Sequence, residues 1–236
     1  MKEKEKIKTA KVILTIGIIM GLAIFLWKLA PLMANLSTKE GQLAFKNKIS
    51  DMGFLGILLL FGLQILQILL VILPGEPFEV LAGMCYGVWG GTLFVTISVF
   101  ITTTIIFFTV RKLGQKYLYN FFQREKVDKI MKSKLFKNPR NINIVLFILF
   151  FLPATPKDLI VYIGGLLPIK PLRFILISTL VRFPSVITST MVGANISKGN
   201  WKLSLIIYGI TFVIAVISIY LISKKDKNKE IIDIMK

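Results

Sequence analysis

Six long apolar runs divide this chain, and they constrain its fold more than any other feature. They cover residues 12–29, 54–73, 80–110, 142–167, 172–193 and 203–222. A helix needs about 20 predominantly apolar residues to cross the hydrocarbon core of a bilayer. Hydrophobic residues make up 55% of the chain, against about 45–50% in soluble domains. The runs therefore predict an all-α integral membrane protein.

The charged residues fall between these runs. The formal net charge is +18, but membrane topology explains such interspersed basic loops better than nucleic-acid binding does. The sequence contains no histidine, which excludes a His-containing zinc site, a Ser-His-Asp triad and a His proton relay. The single cysteine, Cys85, is interpreted as an apolar packing residue. We expect neither an enzyme nor a bound metal or other cofactor, and no nucleic-acid partner.

A proline motif recurs at the ends of two apolar runs. "LPGEPFE" and "LPATPKD" both read Leu-Pro-x-x-Pro-x followed by an acid. Proline removes a backbone donor and breaks a helix, and free backbone groups at membrane depth are tolerated only inside protein or along a wet cavity. The motif predicts two re-entrant loops, and Pro-kinked spanning helices are the alternative. The loop-shaping residues would be Pro74, Pro77, Gly83, Pro153, Pro156, Gly164 and Gly165.

The distribution of basic residues favours the re-entrant interpretation. If every run crossed the membrane from a cytoplasmic N-terminus, residues 111–140, with ten Lys and Arg, would lie outside, against the positive-inside rule. If 54–90 and 142–167 instead re-enter from opposite faces, 22 basic residues are cytoplasmic and six are outside. This predicts an inverted repeat of the transporter kind. Both termini would lie in the cytoplasm, and the Lys-, Ile- and Asn-rich composition suggests an AT-rich bacterial genome.

The predicted segments follow from this path. They are an N-terminal transmembrane helix at 1–30, an outer or interfacial segment at 31–53, a core at 54–197, a C-terminal transmembrane helix at 203–223 and a basic cytoplasmic tail at 224–236. Within the core, re-entrant loops at 54–90 and 142–167 alternate with transmembrane helices at 91–110 and 172–193. Residues 113–137 would form one amphipathic helix in the cytoplasmic headgroup layer, held by anionic lipid. A soluble linker helix is the alternative for that segment.

Five ionisable residues are expected at membrane depth. They are Glu76, Glu79, Lys157, Asp158 and Arg182. Such a charge costs about 2.5–3.5 kcal/mol for Arg, Lys or Asp on insertion scales, so it indicates a functional site with a partner. We predict a substrate- or ion-binding cluster in which Glu76 or Glu79 pairs with Lys157 or Arg182. An ion network that only fixes the loops is the alternative. Uncharged donors nearby are Gln64, Gln67, Ser185, Thr188, Ser189 and Thr190.

Three stretches carry a family resemblance. "LPGEPFEVLAGMCYGVWGG", "LPATPKDLIVYIGGLLPI" and "STLVRFPSVITSTMVGANI" resemble a bacterial branch of the VTT-domain family, the SNARE-associated Golgi proteins, whose superfamily includes the DedA proteins. The resemblance implies two facing re-entrant loops, an inner amphipathic helix and lipid handling. It also implies a functional acid at Glu76. DedA proteins carry arginines where this chain has Phe150 and Pro156, a departure from their pattern.

The resemblance implies translocation or scrambling of a phospholipid or polyprenyl phosphate, in some members proton-linked. Arg182 and Lys157 would neutralise phosphate, while the acids would gate or bind a coupling proton. A non-transporting scaffold that organises lipids or a partner complex is the alternative, and an intramembrane lipid phosphatase is disfavoured by the missing histidine. The expected partners are membrane lipids with anionic or phosphate-bearing headgroups, and homo-oligomerisation is left open.

Overall fold

The computed structural model describes residues 38–70, 75–119, 121–133, 136, 139–151 and 157–225. The chain divides into two compact units, Met1–Lys48 and Ile49–Lys236. The described part of the first unit, 38–48, lies within or just before the first helix. The predicted N-terminal helix at 1–30 and the tail beyond residue 225 lie outside the described residues.

The described residues form ten helices. They are α1 (Lys39–Asp51), α2 (Phe54–Leu70), α3 (Glu76–Leu113), α4 (Gln115–Leu118), α5 (Arg124–Lys132), α6 (Pro139–Phe151), α7 (Lys157–Gly164), α8 (Pro171–Leu180), α9 (Phe183–Ser197) and α10 (Trp201–Lys225). The all-α prediction is therefore confirmed for this part of the chain. Transmembrane helices were predicted at 172–193 and 203–223, and α8 with α9 and α10 cover these segments.

Among the described residues, three helical segments are long and apolar enough to cross a bilayer. They are Glu76–Leu113, Pro171–Ser197 and Trp201–Ser218, and a fourth is counted if the bent pair Leu43–Asp51 and Phe54–Leu69 forms one span. Little of the α10 span is buried against the described part of the chain, as expected for a helix in contact with lipid. The protein is a multi-pass membrane protein.

Helix α3 is broken at Gly87. This glycine has φ +74° and ψ −175°, a left-handed conformation that side chains rarely adopt. A Cβ built on Gly91 would lie 2.9 Å from the carbonyl group of Ala82, whereas nine residues of straight helix span about 13 Å. The chain therefore turns sharply at Gly87, three residues before the predicted end of the first loop at residue 90.

After this turn, α3 runs antiparallel to α8 and α9. The Thr92 hydroxyl lies 2.8 Å from that of Thr190, and the Phe107 ring stacks on Phe174 at 5.1 Å between centroids. Residue numbers thus rise along α3 while they fall along its partner. The segment before Gly87 also contacts α9, where a Cβ on Gly193 would overlap the Val80 carbonyl oxygen. Small residues at such seams allow helix backbones to approach closely in membranes.

The prediction of one amphipathic helix over 113–137 is wrong. Gly114, with φ +75°, ends α3, and the next helices cover only residues 115–118 and 124–132. Gln115 and the Tyr119 hydroxyl both donate to the Asp128 carboxylate at 2.7 Å, which raises the pKa of Tyr119 and closes the turn between α4 and α5.

The apolar face of this segment packs on the protein. Leu118, Val127 and Ile130 are buried in the core, and the rings of Phe121 and Phe122 contact Tyr162 at 5.8 and 5.4 Å. A continuous helix lying in the headgroup layer would leave these side chains to lipid. Packing on Tyr162 therefore explains why the segment folds back.

We expect Gly193→Ala to lower the stability of the α3–α9 seam by about 1–3 kcal/mol, because the added methyl group overpacks a backbone contact. Thermal unfolding in detergent measures the effect. Gly62→Ala is the matched control, since a Cβ there meets nothing within 4 Å. Equal midpoints for the two variants would contradict this packing.

Candidate functional site

Arg182 lies at the junction between α8 and α9 and is only 5% exposed. Val181 and Arg182 form a turn, and Pro184, at the start of α9, lacks the amide hydrogen that a continuous helix would use. Arg182 is 11 residues from Pro171 within a 27-residue span, or about 17 Å along the helix. The sequence therefore puts a buried guanidinium group near the middle of a membrane-length segment.

Within the described residues, Arg182 forms an ion pair with Asp158, which lies in the first turn of α7. Nη1 of Arg182 donates to Oδ1 of Asp158 at 3.2 Å, and Nε2 of Gln67 donates to Oδ2 at 2.9 Å. The sequence paired Glu76 or Glu79 with Lys157 or Arg182, and Glu79 does interact with Lys157. The ion pair of Arg182 with Asp158 was not among the predicted pairs. Asp158 pairs with Arg182 because the short helix α7 begins beside the α8–α9 junction. The N-terminal helix dipole also favours a carboxylate at that position.

The remaining donors of Arg182 are open. Its guanidinium lies over the Phe150 ring, 5.0 Å from the centroid. Within the described part of the chain, Nε and Nη2 are buried and have no hydrogen-bond acceptor. A buried charged donor without a partner is costly. These two donors share one edge of the planar group, the edge that can bind two oxygens of one carboxylate or phosphate.

The predicted residues Lys157 and Glu79 lie close to this cluster. Nζ of Lys157 donates to the Ser185 hydroxyl on α9 at 2.6 Å. The Glu79 carboxylate interacts electrostatically with Lys157 and Arg182, and among the described residues its Oε2 is buried without a hydrogen-bond donor. Its neighbour Glu76, in the same first turn of α3, is exposed. The structure thus brings four of the five predicted charges together and leaves Glu76 at the margin.

The predicted loop-shaping residues have several roles. A Cβ on Gly75 would lie 3.5 Å from the Gln67 side chain, so the start of α3 lies beside the end of α2. Pro77 is in the first turn of α3, where its missing amide hydrogen is not needed. A Cβ on Gly83 would overlap Thr190. Pro74, Pro153 and Pro156 lie outside the described residues.

Gly164 and Gly165 fix the C-terminal end of α7. A Cβ on Gly164 would overlap the Phe174 ring, and one on Gly165 would lie 2.8 Å from the Phe107 carbonyl oxygen. Both glycines therefore allow α7 to press against α3 and α8, where no side chain fits.

Two further residues, Tyr162 and Phe150, contribute to the site and were not predicted from the sequence to do so. Tyr162 donates its hydroxyl to the Leu69 carbonyl at 2.7 Å, which ties α7 to the end of α2. Phe150 was noted only because it departs from the DedA pattern, yet its ring supports Arg182. A buried tyrosine usually bonds its hydroxyl, but sequence alone does not identify the acceptor.

We expect Asp158→Ala to cost about 1–3 kcal/mol of stability, because it leaves Arg182 buried without its counter-charge. The partial exposure of Asp158, 18% of its side chain, keeps the effect below that of a fully buried pair. A double-mutant cycle with Arg182→Ala, followed by thermal unfolding, should give less than the sum of the single losses. Glu125→Ala, at an exposed carboxylate, is the control, and additive losses would contradict the pairing.

Comparison with known proteins agrees with this architecture. The family model of the VTT domain matches residues 73–195, which is just over half of the chain. The matched range includes the Glu79, Lys157, Asp158 and Arg182 cluster. No curated protein and no solved structure matches the chain. The protein belongs to the VTT-domain family.

Proposed function

We propose that this protein translocates or scrambles a phosphate-bearing membrane lipid, a phospholipid or a polyprenyl phosphate, through the site around Arg182. The observation that carries the proposal is the open edge of the Arg182 guanidinium, with Nε and Nη2 buried and lacking acceptors in the described residues. Burying a charge in this way is costly unless a ligand completes its hydrogen bonds. The planar fork suits two phosphate oxygens.

The path of the chain supports access to this site from both leaflets. In this proposal, residues 54–90 and 142–167 are re-entrant hairpins that enter from opposite faces and form an inverted repeat. The Gln67–Asp158 hydrogen bond, which joins the flanks of the two loops, supports this arrangement.

The other polar groups of the site have roles that follow from their charges. Lys157, held by Ser185, adds a second positive charge beside the phosphate. Glu79 offsets this charge, and exposed Glu76 lies at the margin of the cluster. The hydroxyl groups of α9 donate without adding charge. The lipid tails stay in the bilayer, so no covalent chemistry is needed and the protein is not an enzyme.

We expect Arg182→Ala to abolish lipid translocation in proteoliposomes, because the phosphate loses its two donors. Arg182→Lys should retain only part of the rate, since a lysine offers no planar fork. The assay follows fluorescent phospholipids with different headgroups, and a polyprenyl phosphate, by chemical quenching. Arg173→Ala, at an exposed arginine on α8, is the control.

Two outcomes contradict this function. If the native protein translocates no tested lipid faster than empty vesicles do, the scaffold alternative replaces transport. If Arg182→Ala translocates as fast as the native protein while Arg173→Ala slows it, the site lies elsewhere.

We also propose that the protein lies in a bacterial plasma membrane with both termini in the cytoplasm, as the distribution of basic residues favours. A cysteine at Lys116, an exposed position on α4, in a Cys85→Ala background should react with a membrane-impermeant maleimide only in inverted vesicles. A cysteine at Lys202, at the start of α10, should react only in intact cells. The reverse pattern would overturn the orientation.

A further inference from the structure

Arg111, near the C-terminal end of α3, binds the backbone of a distant turn. Its guanidinium donates to the carbonyl oxygens of Gly165, Leu167 and Ile169 at 2.7–3.2 Å. These carbonyls follow α7, where a helix end leaves acceptors unsatisfied. In the sequence, Arg111 was counted only among the basic residues of 111–140 that indicate the membrane topology. The structure makes Arg111 the cap of the turn at 165–170.

The capped turn is connected to the polar site by a short, buried helix. Residues 159–165 are all buried, and α7 has eight residues, about 12 Å of helix. Asp158 lies at one end of this helix and the carbonyls held by Arg111 follow the other. Glycine contacts hold α7 tightly against Phe107 and Phe174. A displacement of the turn should therefore move α7 as a unit and shift Asp158 at its other end.

A column of aromatic rings forms a second connection. The Arg111 guanidinium lies 4.4 Å from the centroid of Phe107. Phe107 stacks on Phe174 at 5.1 Å, and Phe174 meets Phe150 edge to face at 6.1 Å. Phe150 in turn supports Arg182 at 5.0 Å. All three rings are fully buried, so each can move only if its neighbours move.

We propose that Arg111 is a positioning residue for the polar site. Through α7 it sets the place of Asp158, and through the Phe107–Phe174–Phe150 column it sets the place of Arg182. The inference deepens the proposed function, because it names a residue that controls the same site without touching a lipid. Both connections start at one guanidinium group, so its loss should disturb both members of the ion pair.

Hydrogen–deuterium exchange of the full-length protein in nanodiscs tests this proposal without any transported lipid. In Arg111→Gln we expect amide exchange to accelerate about tenfold at 157–164 and at the 181–183 junction, as well as at the capped turn. Arg111→Lys should recover part of the protection, since an ammonium group reaches fewer carbonyls. Lys112→Gln removes the same charge from the neighbouring exposed residue and should leave exchange unchanged.

A second measurement links the position to function. In proteoliposomes, Arg111→Gln should slow translocation about tenfold in the native background and by clearly less in the Arg182→Lys background, which retains a measurable rate. If Arg111→Gln accelerates exchange only at 165–170, the residue caps its turn and nothing more, and the proposal is overturned. A chain without any lipid translocation would refute the proposed function, while the exchange result still decides the role of Arg111. If Arg111→Gln does not fold, the comparison of Arg111→Lys with Lys112→Gln decides.

Discussion

The ion pair between Arg182 and Asp158 is the interaction on which the described structure most depends. It lies among apolar helices, where a separated charge would be far more costly than in water. Holding the pair requires three chain segments to meet, because Gln67 lies in the last turn of α2, Asp158 lies in the first turn of α7 and Arg182 joins α8 to α9. The ion pair therefore selects one helix arrangement among the many that apolar packing alone would allow.

Apolar packing provides the rigid frame around this pair. Lipid tails are as apolar as leucine, so helices in a membrane associate by close fit and by polar contacts rather than by exclusion of water. Gly83 and Gly193 allow the backbones of α3 and α9 to touch. Gly164 and Gly165 do the same for α7. Within this frame Nε and Nη2 of Arg182 are buried without an acceptor among the described residues, and the proposed ligand would supply two acceptor oxygens.

Much of this architecture could be predicted from the sequence, because hydropathy and proline placement act locally. The apolar runs gave the helices, and the charges at membrane depth identified four residues that do cluster. The partner of Arg182 could not be predicted, since it depends on where α7 begins in space and not on charge alone. The break after Gly114 could not be predicted because the apolar side chains of this segment suit lipid as well as protein. Their packing on Tyr162 is a tertiary contact that the local sequence does not reveal. The re-entrant course of the two loops remains a prediction.

The hydroxyl contact between Thr92 and Thr190 has a mechanical consequence. Each hydroxyl also has an acceptor in its own helix, the Val88 carbonyl at 2.7 Å for Thr92 and the Ile187 carbonyl at 3.1 Å for Thr190. If α3 and α9 move apart, neither oxygen loses its last hydrogen bond, so the penalty for an unpaired polar group in hydrocarbon is avoided. The Thr92–Thr190 contact can therefore break and re-form at less cost than the Arg182–Asp158 pair, while the glycine contacts hold the two backbones together.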